Sequence, residues 1–247
     1  MSLPQFLVPS AAFGSSVVIL EGPELHHLRV RRVRVGEPVL LSDGLGNQTN
    51  GVVVEISRDR ACIRLHPVDD HTQLPNHARL SVGVGLLKGR KLDDVVERLT
   101  ELGVAEILVF TSERSIPEPT EARLERLNRI VRSAAKQSQR RELPVLNGPL
   151  RFEDLIHQRD DECRLLFWEG QPPADSPLAA PTAATARVLA LIGPEGGYSD
   201  AEVSAATACG FQLASLGARP LRAETAAVAA ATLCQALLGE LGTLLAR

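Results

Sequence analysis

The sequence predicts an α/β protein in which a mostly parallel sheet is covered by helices and follows a small β-barrel. From Arg79 onward, apolar strand-like segments alternate with helical segments, as in parallel sheets with helices on their faces. Earlier in the chain, short strand-like segments follow one another with little helix between them, which favours a small twisted barrel. We therefore predict two domains, residues 1–72 and 73–247, joined through the polar stretch Asp69–His77.

In the first domain, turn residues separate the predicted strands. The run Asp43-Gly44-Leu45-Gly46-Asn47 is a strong turn signal, because glycine and asparagine tolerate positive φ angles. One short helix is expected at Pro23–Val30, with proline in its first turn. The predicted strands are Gln5–Pro9, Val17–Leu20, Pro38–Ser42, Gly51–Ile56 and Ala61–Pro67.

In the second domain, strands and helices alternate. The predicted strands are Leu80–Leu87, Glu106–Thr111, Arg164–Trp168, Val188–Ile192 and Phe211–Leu216. The predicted helices are Lys91–Leu102, Glu121–Gln137, Asp200–Cys209 and Glu224–Leu241. The Pro- and Ala-rich segment Gly170–Arg187 is expected to be a surface loop.

The composition excludes several classes of protein. No apolar run approaches the roughly 20 residues that a membrane-spanning helix needs, so no membrane partner is expected. The four cysteines lie far apart, and neither they nor the six histidines have the spacing of a metal site, so no metal is predicted. Dispersed cysteines and the lack of a secretory signal favour a cytoplasmic location.

The segment Leu191–Val203, which reads LIGPEGGYSDAEV, predicts a ligand-binding loop at the end of a strand. A Gly-Pro-Glu-Gly-Gly turn follows Ile192, and Ser199 with Glu202 has the pattern of a capping box. Glycine lets the backbone approach a ligand closely, and ligands of parallel sheets bind outside the carboxyl ends of the strands. The alternative is a tight strand-to-helix connection that binds nothing.

A second glycine turn follows the last predicted strand, in the segment Leu216–Thr232 (LGARPLRAETAAVAAAT). After Gly217, a short crossover carries Arg219 and Arg222, and Glu224 begins an alanine-rich helix. The alternative is an ordinary amphipathic helix with surface arginines. Two glycine turns at successive strand ends favour a shared ligand site more strongly than either one does alone.

These two segments, GPEGG and LGxRxLRxETA, resemble the RsmE family of SPOUT methyltransferases, which methylate N3 of a uridine in small-subunit (16S) ribosomal RNA. The resemblance extends over nearly the whole chain and includes Leu20–Gly36, Ser42–Asn47, Leu86–Val104, Thr111–Ser115 and Ala134–Leu146. It implies a PUA- or OB-like RNA-binding barrel, a SPOUT-type domain with a trefoil knot, and a homodimer. It also implies S-adenosyl-L-methionine as the cofactor and small-subunit ribosomal RNA, alone or in the 30S subunit, as the partner.

The resemblance also implies which residues hold the cofactor. They are Phe167, Trp168, Glu169, Gly170, Ile192, Gly193, Pro194, Glu195, Gly196, Gly197, Leu216, Gly217, Leu221, Arg222, Glu224, Thr225 and Ala226. The chain departs from the usual family residues at several positions, which include Glu97-Arg98 in place of a Gln-Lys pair. Gln5 replaces an arginine, Lys136 replaces an acidic residue, and Ala223 replaces a threonine.

The reaction needs uracil N3 to be aligned with the methyl group and to lose its proton. Arg222, with Arg219 nearby, is predicted to stabilise the developing uracil anion. Glu224 and Glu195 are candidate proton acceptors. Of these two, Glu224 is predicted to be catalytic, together with Arg222 and Arg219. The competing interpretation is helix capping, the commoner role of a carboxylate at a helix start.

Basic residues are grouped locally, although the net charge of −3 argues against nonspecific binding of a polyanion over the whole surface. His26–Arg34 reads HHLRVRRVR and is either a phosphate-binding segment or a solvated face. The predicted RNA-binding residues are His26, His27, Arg29, Arg31, Arg32, Arg34, Lys88, Arg90, Arg114, Lys136, Arg140 and Arg141. Two alternatives stay open: a related methyltransferase that acts on another RNA nucleotide, and a non-catalytic RNA-binding ribosome factor.

Overall fold

The computed structural model describes residues 3–66, 80–115, 120–170 and 180–241, which form two compact units. One unit consists of residues 1–76 with 132–143, and the other of residues 77–131 with 144–247. The predicted boundary between residues 72 and 73 and the predicted linker lie outside the described residues. The division at that point therefore stays a prediction.

The first unit is built on a five-stranded sheet with the order β1-β3-β4-β5-β2, curled into a half-barrel. The strands are β1 (Gln5–Leu7), β2 (Val17–Leu20), β3 (Pro38–Ser42), β4 (Gln48–Ile56) and β5 (Ala61–Leu65). β1 and β3 are parallel, and the other neighbours are antiparallel. Helix α1 (Gly22–Val30) adds Leu25 and Leu28 to the core beneath the sheet. The predicted small barrel is confirmed in this half-barrel form.

The predicted turn after β3 is organised by one carboxylate. Asp43 Oδ1 accepts hydrogen bonds from the backbone amides of Leu45 and Asn47, at 2.8 and 3.0 Å. Asp43 Oδ2 accepts hydrogen bonds from Ser10 Oγ and Asn47 Nδ2, at 2.8 and 2.6 Å. Partial burial opposes ionisation, but these hydrogen bonds prevail and lower the pKa of Asp43 below its ordinary 3.8.

Residues 132–143 belong to the first unit and account for two of the departures from the family pattern. The ammonium of Lys136 lies 2.7 Å from Glu24 Oε1 in a mostly buried ion pair. Gln5 is buried and donates from Nε2 to the carbonyl of Arg140 at 2.8 Å. The unusual residues therefore have partners within this unit.

The second unit contains a six-stranded sheet with the order β11-β9-β10-β6-β7-β8, parallel throughout. The strands are β6 (Leu80–Gly85), β7 (Glu106–Thr111), β8 (Val145–Arg151), β9 (Cys163–Phe167), β10 (Val188–Ile192) and β11 (Gln212–Ala214). The helices are α2 (Lys91–Glu101), α3 (Glu121–Gln137, whose last turns belong to the first unit), α4 (Phe152–Gln158), α5 (Asp200–Ala208) and α6 (Ala223–Leu238). The predicted parallel α/β sheet is confirmed.

The central strands of this sheet are covered on both faces. Every residue of β6 and of β10 is buried, as expected of a parallel sheet between two helical layers. α6 packs against α2, β6 and β10, whereas α4 packs against α5, β7 and β8. The trefoil knot depends on how the chain threads, which strand order alone does not decide, and it stays a prediction.

Sequence reasoning missed the neighbouring elements β8 and α4. β8 contains Gly148-Pro149, a pair that is typical of turns, and only an edge strand tolerates such a proline. A Cβ atom on Gly148 would overlap the backbone of Val109, so glycine is required where the pairing of β7 with β8 shifts register.

A charged network lies at the amino-terminal edge of the same sheet. Arg159 makes a bidentate interaction with Asp161 and a 2.7 Å ion pair with Glu106 at the start of β7. It also donates to Ser81 Oγ at 3.1 Å. The hydrogen bonds that Arg159 donates to Asp161 outweigh burial and raise the pKa of Arg159. This network lies at the opposite edge from the strand ends that carry the glycine turns.

Neither a membrane-spanning helix nor a cluster of three potential metal ligands occurs in the part of the chain that the structure describes. None of the four cysteines, all of which lie in the described residues, forms a disulfide. Cys163 and Cys234 are buried, and Cys62 and Cys209 are half-buried. Burial, together with the neighbouring Cys163, raises the pKa of the Cys234 thiol to about 12, which makes it a weak nucleophile at neutral pH.

Candidate active site

The sheet brings the two glycine segments to the same edge. Ile192 at the end of β10 is in register with Phe167 of β9, which is in register with Ala214 of β11. Only β9 separates the two strands that precede the glycine turns, which is a distance of about 10 Å. Trp168, which follows β9, extends this pairing by donating its backbone amide to the carbonyl of Ala214 at 3.0 Å. Ligand-binding loops in parallel α/β sheets occupy this position.

The first glycine turn packs directly on the end of β6. A Cβ atom on Gly85 would lie 2.6 Å from Pro194 Cδ and 2.9 Å from the carbonyl carbon of Gly193, so no larger residue fits without movement of the loop. Gly197 has a φ angle of +66° and donates its amide to the Pro194 carbonyl at 2.9 Å, which closes the turn. The loop is therefore held by backbone contacts.

The predicted capping box at the start of α5 is present. Glu202 N donates to Ser199 Oγ at 3.3 Å, and Ser199 N donates to Glu202 Oε2 at 2.9 Å. The other oxygen of Glu202 accepts from the backbone amide of Glu113 at 2.9 Å. Arg114 Nη1 donates to the carbonyl of Gly196 at 3.0 Å. The turn after β7 therefore holds the glycine loop. Arg114, a predicted RNA-binding residue, contacts the predicted cofactor site instead.

Lys91, at the start of α2, connects the two glycine segments. Its ammonium lies 3.2 Å from Glu195 Oε1 in the first segment and 3.7 Å from Glu224 Oε2 in the second. Lys88 adds a backbone hydrogen bond of 3.1 Å to Glu195 Oε1. Burial opposes ionisation of Glu195, but the Lys88 amide and the Lys91 ammonium prevail and lower its pKa. Sequence reasoning missed Lys91, although it lies in Leu86–Val104, one of the segments that resemble the family.

The second glycine turn is more exposed. Gly217 has a φ angle of +101° and donates its amide to Ser215 Oγ at 3.2 Å. Arg219 and Arg222 are exposed, and Arg222 occupies the N-cap position of α6 without a side-chain capping bond. Helix α6 begins at Ala223, one residue before the predicted start.

Glu224 is not the N-cap residue, contrary to the capping interpretation. It lies inside the first turn of α6, and its Oε2 atom is buried without a hydrogen-bond partner. A buried polar oxygen without a hydrogen bond is energetically unfavourable, and here only the 3.7 Å ionic contact with Lys91 compensates it.

The other residues that the resemblance assigned to the cofactor site follow the same strand ends. Phe167 and Ile192 are buried at the ends of β9 and β10, and Trp168 is half-buried. Glu169 Oε1 lies 3.1 Å from the place where a Cβ atom on Gly197 would be. The rest differ in exposure: Leu221 and Thr225 are exposed, whereas Gly170, Leu216 and Ala226 are half-buried.

The predicted RNA-binding residues of the first unit fall into two groups. The exposed group contains His26, Arg29, Arg31, Arg32 and Arg34, of which Arg29 donates to the carbonyls of Ser57 and Arg58. The less exposed group contains His27, Lys136, Arg140 and Arg141. Burial and the nearby Lys136 lower the pKa of His27, and burial lowers the pKa of Arg140 to about 10. In the second unit, Lys88 and Arg90 are exposed at the start of α2.

Comparisons with known proteins agree with this architecture. Residues 74–235 match the model of the RNA methyltransferase domain, and residues 20–65 match that of the RNA methyltransferase PUA domain. The chain is 34% identical to ribosomal RNA small subunit methyltransferase E of Aquifex aeolicus (87% of this chain, 92% of the relative) and 32% identical to that of Synechocystis sp. (90% and 74%).

A solved structure covers almost the whole chain. The crystal structure of ribosomal RNA small subunit methyltransferase E from Neisseria gonorrhoeae bound to S-adenosyl methionine has a TM-score of 0.85 and 29% identity. The alignment covers 96% of this chain and 98% of that one. The matched domains, the level of identity and the shared fold all agree with the motifs. The chain therefore belongs to the RNA methyltransferase family of ribosomal RNA small subunit methyltransferase E, the RsmE family.

Proposed function

We propose that this chain transfers a methyl group from S-adenosyl-L-methionine to N3 of a uridine in 16S ribosomal RNA. The observation that carries the proposal is the meeting of two glycine segments at one edge of the parallel sheet, beside the Lys91, Glu195 and Glu224 cluster. The Neisseria relative, which was crystallised with S-adenosyl methionine, supports it. The PUA match at residues 20–65 supports an RNA substrate.

The residues at this edge suit a cofactor with a cationic sulfonium. Glu195 and Glu224 contribute two carboxylates to the ion-pair cluster and Lys91 one ammonium, which leaves a formal charge of −1. The exposed carboxylate of Glu169 lies against Gly197 in the first loop. Oε2 of Glu224 has an ionic contact with Lys91 but accepts no hydrogen bond from the described residues, so it keeps the capacity to accept one from a ligand. When bound, S-adenosylmethionine supplies an activated methyl group.

The protein's own groups would bind and orient the reactants. Backbone groups of residues 167–170, 193–197 and 216–226 would hold the cofactor. We assign to Arg222, and secondarily to Arg219, the stabilisation of the uracil anion that forms as N3 loses its proton. Both side chains are exposed on the loop before α6, where they are accessible to a bound nucleotide. We place Glu224 at the position of the proton acceptor, because its Oε2 accepts no other hydrogen bond.

The exposed arginines of the first unit are proposed to bind RNA phosphates. Arg31, Arg32 and Arg34 follow α1 and lie within the segment that matches the PUA domain. Their guanidinium groups are suited to phosphate oxygens. Lys136 is a weaker candidate, because Glu24 already compensates its charge. Since the substrate is ribosomal, the enzyme is proposed to act in the cytoplasm.

A homodimer is also proposed, with α6 in the interface. Leu233 and Leu237, one helical turn apart on α6, are 46% and 40% exposed, and Leu221 just before the helix is 39% exposed. Exposed leucines at this spacing form an apolar stripe that a second copy can cover. Sedimentation equilibrium of the purified chain is expected to give twice the monomer mass, and Leu233→Lys to shift it towards the monomer. A wild-type chain that sediments as a monomer at micromolar concentration would contradict the dimer.

Two measurements test the proposed function. Calorimetry is expected to show binding of S-adenosylhomocysteine, which a non-catalytic RNA-binding factor would lack. Mass spectrometry of nucleosides from 16S RNA incubated with enzyme and cofactor is expected to show 3-methyluridine. A different methylated nucleoside would favour the related methyltransferase with another target.

Replacement of Arg222 tests its assigned role. Arg222→Met is expected to lower the rate of methyl transfer by about a hundredfold or more, with little change in S-adenosylhomocysteine affinity, because a cationic donor acts mainly on the developing charge. Equal loss of both quantities would refute this role.

A further inference from the structure

Lys91 is shared by two loops that come from different strands. Its ammonium lies 3.2 Å from Glu195 in the loop after β10 and 3.7 Å from Glu224 in the first turn of α6. Lys91 itself is the first residue of α2, which packs against α6. One side chain therefore links the starts of two helices to the first glycine turn.

The two carboxylates are held differently. Glu195 Oε1 accepts two hydrogen bonds, from the amide of Lys88 and from the Lys91 ammonium. Glu224 Oε2 has only the 3.7 Å ionic contact with Lys91, too long for a hydrogen bond, and is buried. The arrangement orients Glu224 by charge while its oxygen keeps its capacity to accept a hydrogen bond.

Without the ammonium, the two carboxylates would face each other with no cation between them. Both carboxylates lie within 3.7 Å of the same ammonium, so without it their negative charges would repel, and each would turn towards water or take up a proton. Either response would weaken the link between the glycine loop and α6. The position of the ammonium therefore bears on both segments that the proposed function assigns to the cofactor.

Resting on that proposed function, we propose that Lys91 is a positioning residue that fixes Glu195 and Glu224, and with them the two glycine segments, in the geometry for methyl transfer. It acts through the two carboxylates and need not touch the substrate. Its removal is expected to affect cofactor affinity through the Glu195 loop and turnover through Glu224.

The test compares three substitutions on helix α2. Lys91→Met removes the charge, Lys91→Arg keeps it, and Arg98→Met removes a charge from an exposed position two turns further along the same helix. Calorimetry with S-adenosylhomocysteine and steady-state kinetics with 16S RNA give Kd, KM and kcat. Thermal melts show whether each variant is folded.

Lys91→Met is expected to weaken S-adenosylhomocysteine binding by about tenfold, the effect of losing one charge-assisted hydrogen bond, and to lower kcat as well. Lys91→Arg should recover part of both losses, and Arg98→Met should resemble the wild type. Unchanged Kd and kcat in a folded Lys91→Met chain, or equal losses in Arg98→Met, would overturn the proposal.

Two further variants separate the contacts. Glu195→Gln is expected to reproduce mainly the loss of affinity, and Glu224→Gln mainly the loss of kcat. Combining Lys91→Met with Glu195→Gln should add little to the loss of affinity in either single variant, because both remove the same contact. Fully additive losses would count against the shared role of Lys91. A wild-type chain that neither binds S-adenosylhomocysteine nor methylates RNA would refute the proposed function, whereas an active wild type with an unaffected Lys91→Met variant would refute only this inference.

Discussion

Gly85 offers a direct test of whether the backbone contact beneath the first glycine turn positions the cofactor. In Gly85→Ala, the new Cβ atom would lie 2.6 Å from Pro194 Cδ and 2.9 Å from the carbonyl carbon of Gly193, whereas ordinary contacts begin near 3.4 Å. The Gly193-Pro194 backbone must therefore retreat by about 1 Å. A misplacement of about 1 Å in a catalytic site can lower the rate by about a hundredfold.

The matched control is Gly83→Ala, two residues earlier on β6 and on the same face of the strand. Its Cβ atom would overlap the side chain of Leu191, a flexible group in the core, and would meet no loop backbone. Both variants are expected to lose about 1–3 kcal/mol of stability through overpacking. Only Gly85→Ala should also lose S-adenosylhomocysteine affinity and about a hundredfold in kcat/KM, as measured by calorimetry and methyl transfer. Wild-type affinity and activity in Gly85→Ala would refute the reasoning.

Three further substitutions test the stability of the two units by urea denaturation. Lys136→Glu should destabilise the chain by about 2 kcal/mol, because the new carboxylate faces Glu24 across a mostly buried contact. Adding Glu24→Lys should restore most of the lost stability. No restoration would contradict the ion pair. Arg159→Met should cost about 3 kcal/mol, because it leaves two carboxylates at the amino-terminal edge without their cation. A change below ~0.5 kcal/mol, the usual effect of a surface substitution, would be inconsistent with that network. Asp43→Asn should cost about 1 kcal/mol at pH 7 after allowance for solvent screening. Because folding lowers the pKa of Asp43, its stabilisation is present above its ordinary 3.8 and is lost as the pH falls through the folded value, so this difference should vanish in acid; a difference that persists at low pH would contradict the assignment.

The secondary structure followed from local patterns where those patterns were unambiguous. β2, β3, β7, β10 and α3 begin and end at the predicted residues, because apolar periodicity and clear turn residues define both ends. β8 was missed because its Gly-Pro pair signals a turn, and an edge strand is the one place in a sheet that accepts it. Local propensity carries no information about whether a strand lies at an edge.

Some of the basic residues show why charge in a sequence does not specify a binding surface. Lys136 and Arg140 lie in a strongly basic stretch, yet Lys136 is paired with Glu24, 112 residues earlier, and Arg140 is only partly exposed. Arg114, predicted for RNA, donates to the Gly196 carbonyl. Exposure and partners depend on contacts between residues far apart in the chain, so the sequence could not separate solvated arginines from structural ones.

The sequence by itself determined the parallel α/β class, a small strand-rich barrel before it, the family, and the two glycine segments, because glycine turns at strand ends and helix caps are encoded by neighbouring residues. Only the tertiary structure decided that Lys91 lies between Glu195 and Glu224, that Gly85 supports the first turn, and that Glu224 keeps a buried oxygen without a hydrogen bond. The contacts of Lys91 join residues more than 100 positions apart in the chain. Their geometry arises when parallel strands align their carboxyl ends, and no local pattern specifies which side chains then meet.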